Sequence, residues 1–269
     1  MLPISDGSKG QGPAMATLTF MTLCSGCFLL QLYLGGGQPA IPVNLGFIPG
    51  LMFGGASLPE NVPVIPPPAT MISYMFLHGG WMHLLGNLLY MWVFGPKLER
   101  SIGSGRFTVL IIISGVAAAL AQAWTDPASA VPMVGVSGGV SGILGAYLVL
   151  HPRTEIGVIV PVVIVMRVVY LPAFVVLAAW FLLQLLYANM PAAAGGGIAF
   201  SAHVGGFVAG LVLGFLVVKG VVLWAMGRTM PIPVVERPPF IILLAQGGEF
   251  GFVVFQTAAG AGVIDAPTS

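Results

Sequence analysis

Two histidines, an asparagine and a serine stand out in a chain that has almost no charge: His83, Asn87, Ser137 and His203. A serine hydroxyl is a weak nucleophile until a base takes its proton, and an imidazole is the usual base. N–H donors beside such a pair can hold the oxyanion that forms when the hydroxyl adds to a carbonyl. Ser137 and His203 are therefore the candidate nucleophile and base. His83 and Asn87 stand four apart, so on a helix they share a face. With the backbone N–H of Ser137 they are the candidate oxyanion donors. No acidic residue lies at the same level, which predicts a dyad rather than a triad. Each residue also has a plain structural reading. A serine packs well in a Gly-rich helix, and a histidine can join two helices. Their coincidence at one depth is what favours chemistry.

Membrane spans must position them. Of 269 residues, 57% are hydrophobic and 6% charged, against about 25% charged in a soluble domain. So few charges cannot coat a water-facing surface, and the bilayer has to be the solvent. The expected fold class is all-α, a polytopic membrane protein. A net charge of +1 gives no argument for nucleic acid. The two cysteines, Cys24 and Cys27, match C-x-x-C, but they lie in an apolar run and read as packing residues.

Six spans follow in order: Met15 to Leu34, a segment within Met71 to Phe94, Phe107 to Trp124, Ser137 to Leu150, Leu171 to Tyr187, and Ile198 to Leu223. Gly35 to Thr70 reads as a long loop, Gly95 to Arg106 as a short charged turn, and 156–170 as an interfacial segment. An A-x-A cleavage site is missing after the first run, which is expected to be a retained helix. With the N-terminus inside, every Lys and Arg falls on one side, while Glu60 and Asp126 fall on the other, as the positive-inside rule requires. The chain then divides into a cytoplasmic segment 1–14, a six-helix domain 15–223 and an extension 224–269. The extension holds a further apolar run, Phe240 to Val263, which is a candidate seventh helix.

This topology runs helices two, four and six the same way. His83 and Asn87, Ser137, and His203 then all fall in the outer parts of their spans. Polar groups at that depth are costly and are functional candidates. Gly138, Gly142 and Ala146 form one ridge of small residues, and Gly206, Gly210 and Gly214 form another, which allows close helix contact. If the ridges meet, Ser137 and His203 come within hydrogen-bond reach. Ser141, one turn on, is a weaker nucleophile candidate. His78 reads as structural or interfacial, and His151 as a terminus residue. G-V-S-G-G also fits the G-x-S-x-G elbow, but that motif needs a strand and an α/β sheet around it.

Four motifs occur in order: F-L-H-G-G-W-M-H-L-L-G-N-L-L-Y (76–90), L-E-R-S-I-G-S-G-R-F (98–107), G-V-S-G-G-V-S-G-I-L-G-A (135–146) and A-H-V-G-G-F-V-A-G (202–210). Together they resemble the rhomboid family of intramembrane serine proteases over roughly residues 15–222. The resemblance implies a six-helix rhomboid-like bundle with Ser137 as nucleophile, His203 as base, and oxyanion roles for His83 and Asn87. It implies structural roles for Glu99 and Arg100, which would tie the inner helix ends together. Many members carry an aromatic four residues after the nucleophile, packed on the catalytic histidine. Here Ser141 stands there, so His203 must be held some other way. Many also carry a Trp-Arg pair before the second span, where this chain has Ala69 and Thr70.

The expected function is cleavage of transmembrane protein substrates near the outer face, with no metal or cofactor. The expected location is a bacterial inner membrane with the site facing outward. Oligomeric state is not legible. Two other readings stay open. One is a catalytically silent rhomboid-like protein that binds membrane clients. The other is a transporter component, since L-L-A-Q-G-G-E-F-G-F-V-V-F (243–255), with Glu249, resembles a segment of Kef-type cation/proton antiporters.

Overall fold

In the hydrocarbon of a bilayer, backbone N–H and C=O groups find no water, so an apolar chain satisfies them within helices. The computed structural model describes residues 2–7, 14–36, 45–55, 57, 65–162, 165–189 and 199–229. The candidate seventh helix and Glu249 lie outside those residues. Eight α-helices occur among the described residues: α1 (Met15–Leu34), α2 (Pro49–Met52), α3 (Pro67–Ser73), α4 (Trp81–Ile102), α5 (Ser104–Thr125), α6 (Ser137–Leu150), α7 (Ala173–Ala188) and α8 (Phe200–Thr229). Among the described residues three stretches, Met15–Leu34, Ser104–Thr125 and Phe200–Ala225, are long and apolar enough to cross a membrane, and α6 and α7 are shorter apolar helices. The protein is an integral membrane protein built as a helical bundle.

The chain forms two compact units, Met1–Gly214 and Phe215–Ser269. In the second, the Arg228 guanidinium lies 4.1 Å from the centre of the Trp224 ring. All the residues discussed below belong to the first.

The sequence reading places the second span within Met71 to Phe94, and the helix there begins late in that stretch and runs past its end. Ahead of it Pro67 and Pro68 open the short helix α3, since proline suits a first helical turn, and a 3₁₀ turn follows at Tyr74–Phe76. Gly79 and Gly80 then interrupt the helix, and α4 starts at Trp81. At its other end α4 runs through Pro96 to Ile102, where a charged turn is expected from sequence. Its last turns are anchored by the fully buried Leu98 and by Glu99, which is 2% exposed.

Glu99 explains how three helix ends are joined. Its carboxylate accepts hydrogen bonds from the backbone N–H groups of Ala16 and Thr17 (both 2.8 Å), from the Thr17 hydroxyl (2.7 Å) and from the Ser104 hydroxyl (2.6 Å). It thereby satisfies donors in the first turn of α1, which have no partner within their own helix, and its charge suits a helix N-terminus. Arg100 is exposed, and the tie runs through Glu99.

A small sheet, absent from the sequence reading, is added to the bundle. Strands β1 (Leu2–Ser5), β2 (Glu155–Val162) and β3 (Val165–Pro172) lie in the order β1-β2-β3, all antiparallel. The segment expected to be interfacial is thus a hairpin, and the N-terminal segment supplies a third strand. Ile156 and Val158 face inward and are fully buried, while Met166, Val168 and Tyr170 are exposed.

Candidate active site

Ser137 is the first residue of α6, His203 the fourth of α8, and His83 the third of α4. All three sit near the N-terminal ends of their helices. The backbone N–H groups that open α6 have no partner within the helix.

Glycines bring α6 and α8 together. A Cβ at Gly206 would overlap the carbonyl oxygen of Gly138, one at Gly210 would overlap that of Gly142, and one at Gly214 would lie 3.1 Å from the Cα of Ala146. The two small-residue ridges therefore meet rung for rung, backbone against backbone. On its other sides Gly142 abuts Ser114, and Gly138 abuts Ala118 of α5. This register puts Nε2 of His203 at 3.0 Å from Oγ of Ser137.

The other imidazole nitrogen, Nδ1 of His203, lies 2.7 Å from Oε1 of Gln184 on α7. Sequence reasoning missed Gln184. The signal was present: it is a lone amide in the apolar run Ala173–Ala188, and an amide among lipid-facing side chains needs a partner. The ring also meets Trp180 (centroids 6.2 Å) and, edge-on, Phe200 (6.1 Å). Ser141 takes no part in this packing. Its hydroxyl donates to the carbonyl of Ser137 at 2.7 Å.

His83 and Asn87 approach from α4. Gly135 has φ +112°, a conformation that favours glycine, and a Cβ there would lie 2.5 Å from Nε2 of His83 and 3.6 Å from Nδ2 of Asn87. Both side chains thus border the backbone just ahead of Ser137. Nδ2 of Asn87 is buried and makes no hydrogen bond among the described residues. The segment is fixed by the Gly135 N–H, which donates to the carbonyl of Tyr74 at 2.9 Å. The Tyr74 hydroxyl in turn donates to the carbonyl of Gly115 at 2.7 Å.

His78 lies behind His83, with ring centroids 5.2 Å apart. Its backbone exchanges two hydrogen bonds with the Gln31 amide, at 3.0 and 3.1 Å, joining α1 to the loop before α4. His151 is far from the site, just past the other end of α6, where Nε2 lies 2.8 Å from the Ser101 hydroxyl. Burial, helped by the nearby Lys97 charge, holds it below the usual histidine range. Cys24 and Cys27 are free thiols. Among the described residues no group of three His, Cys, Asp or Glu side chains is placed to hold a metal ion.

The family model described as the Rhomboid domain matches residues 68–220, more than half of the chain. The chain belongs to the rhomboid family. RHOMBOID-like protein 5 of Arabidopsis thaliana is 33% identical over 149 residues, which are 54% of this chain and 43% of that protein. Rhomboid protease GlpG of Klebsiella pneumoniae is 28% identical over 200 residues, 74% of this chain and 62% of the relative. The chain spans less than two thirds of either rhomboid relative. A 55-residue stretch is also 47% identical to the glutathione-regulated potassium-efflux system protein KefC of Shigella sonnei, covering 20% of this chain and 9% of that protein.

Proposed function

We propose that this rhomboid protein is an intramembrane serine endopeptidase that cuts transmembrane segments of other membrane proteins. The observation that carries the reading is the 3.0 Å contact between Ser137 Oγ and His203 Nε2, made across two helices. In the proposed reaction Ser137 Oγ attacks a peptide carbonyl and His203 Nε2 takes the proton. The Asn87 amide, His83 and the Ser137 backbone N–H stabilise the resulting oxyanion at the start of α6, where a helix dipole favours negative charge. The imidazolium then protonates the leaving amine. Water attacks the acyl-enzyme with the same histidine as base, and Ser137 is released.

The length of α6 supports a cut within the membrane. Its 14 residues span roughly 21 Å at 1.5 Å per residue, against about 30 Å of hydrocarbon. If the end near His151 lies at one interface, Ser137 lies below the other. A substrate must expose carbonyls at that depth, so a segment that unwinds easily is expected. We further propose that the N-terminus is cytoplasmic, that the site faces outward, and that the membrane is a bacterial inner membrane.

The test is labelling of the full chain by a fluorophosphonate probe, together with cleavage of a model transmembrane substrate. Both should be lost in Ser137→Ala and in His203→Ala, with expression retained. Cleavage by the Ser137→Ala protein at the normal rate would sink the proposal. A wild-type chain that neither labels nor cleaves would favour a silent, client-binding protein.

A further inference from the structure

Gln184 is not part of the dyad, yet it makes the second polar contact of its imidazole. We propose that Gln184 is a positioning residue that fixes the tautomer and the ring orientation of His203, in place of an aromatic at position 141. The inference rests on the protease reading above.

A carbonyl-type oxygen such as Gln184 Oε1 can only accept a hydrogen bond. At 2.7 Å from it, Nδ1 of His203 must carry the proton. A neutral imidazole has one N–H, so Nε2 is left with its lone pair directed at Ser137 Oγ, 3.0 Å away. With the amide oxygen turned to the ring, the opposite tautomer would set two lone pairs against each other at Nδ1 and point an N–H at the serine, where no base would remain. Gln184 therefore selects the form of the ring that can accept the serine proton.

Orientation follows from the same contacts. Ser141 is 1% exposed and turns its hydroxyl back to its own helix, so α6 offers the ring no flat surface. The imidazole is held instead from the α7 side, by the Gln184 amide and the Trp180 ring, with Phe200 edge-on. Trp180 and Phe181 also pack on Phe207 of α8, with centroids 5.8 and 4.4 Å apart, which fixes α7 against the helix that carries the base. An amide also differs from a carboxylate in carrying no charge. It orders the ring without making the protonated form more favourable before reaction.

Two variants of the full chain test the assignment, with labelling by a fluorophosphonate measured across pH. Gln184→Met keeps size and removes the acceptor, and is expected to label about 10–100-fold more slowly, the range seen when a group that orients a metal-bound histidine is lost. Gln184→Glu keeps an acceptor and adds a charge that favours the imidazolium. It should label within a few-fold of wild type near neutral pH, with the acid limb of its pH–rate profile moved to higher pH. A merely structural role would leave that limb in place. Wild-type rates in Gln184→Met, or an unmoved acid limb in Gln184→Glu, would overturn the proposal. If Gln184→Met does not fold, the acid limb of Gln184→Glu decides alone. Labelling that is abolished by Ser137→Ala but indifferent to Gln184 removes this inference and leaves the dyad standing. No labelling of the wild type removes both.

Discussion

Gly206 packs its bare Cα against the backbone of Gly138, so that any Cβ there would overlap the Gly138 carbonyl oxygen. Gly138 follows Ser137 directly, and Gly206 lies one turn beyond His203. The contact that joins the two helices also sets the separation of the two candidate reacting groups. Gly206→Val should push α8 from α6. Overpacking of this kind costs about 1–3 kcal/mol, and the dyad is broken even where the fold survives. The expected outcome is a lower Tm in detergent and loss of probe labelling. Gly26→Ala, where a Cβ meets nothing within 4 Å, should alter neither. A Gly206→Val protein that labels normally would show that the helices can part without separating Ser137 from His203.

Asn87 and Gly135 can be tested together, because they act on the same space. Asn87→Ala removes a buried donor that has no other partner among the described residues. Losing one oxyanion donor costs about 100- to 1,000-fold in rate, and the fall should appear in kcat. Gly135→Ala meets the problem from the other side. It adds a methyl 2.5 Å from the His83 ring at φ +112°, so the ring has to move. A comparable fall in kcat is expected. Kinetics on a membrane substrate check both, and unchanged kcat in the two variants would remove the oxyanion role from α4.

Glu99 gives the opposite profile, a change in stability with little change in chemistry. Four donors converge on its carboxylate, three of them from the first turn of α1. Glu99→Gln turns one acceptor end into a donor facing donors, and removes the charge beside the helix N-terminus. Hydrogen bonds to charged groups are worth roughly 1.5–3 kcal/mol each, so Tm should drop clearly. Labelling well below that temperature should persist, since the tie lies at the far end of α4 from His83. An unchanged Tm would mean that α1 is held by packing alone.

Much of this arrangement is legible in the sequence. The limits of α1 and α6 follow from uncharged runs, and the two glycine ridges follow from local spacing. Other parts depend on contacts that spacing does not carry. The start of α4 is shifted by Pro67, Pro68, Gly79 and Gly80, which hydropathy averaging passes over. The hairpin is hidden because 156–170 is apolar at nearly every position, so the two-residue alternation of a half-buried strand never shows. Strand β1 is four residues long and pairs with a partner more than 150 residues away. Gln184 is visible as an unexplained amide, but its partner emerges only when α7 packs beside α8.

That distant pairing has a consequence for how the molecule is assembled. Leu2 lies opposite Ile159, and Ser5 opposite Gly157. Leu2–Ser5 must therefore wait for their partner until the hairpin has been made. Contacts this far apart in sequence form late and carry a high closure cost. The sheet is then a latch that closes after α1, α4, α5 and α6 have been synthesised, and a change that blocks the pairing of Leu2–Ser5 would interfere with that closing step rather than with insertion of the helices.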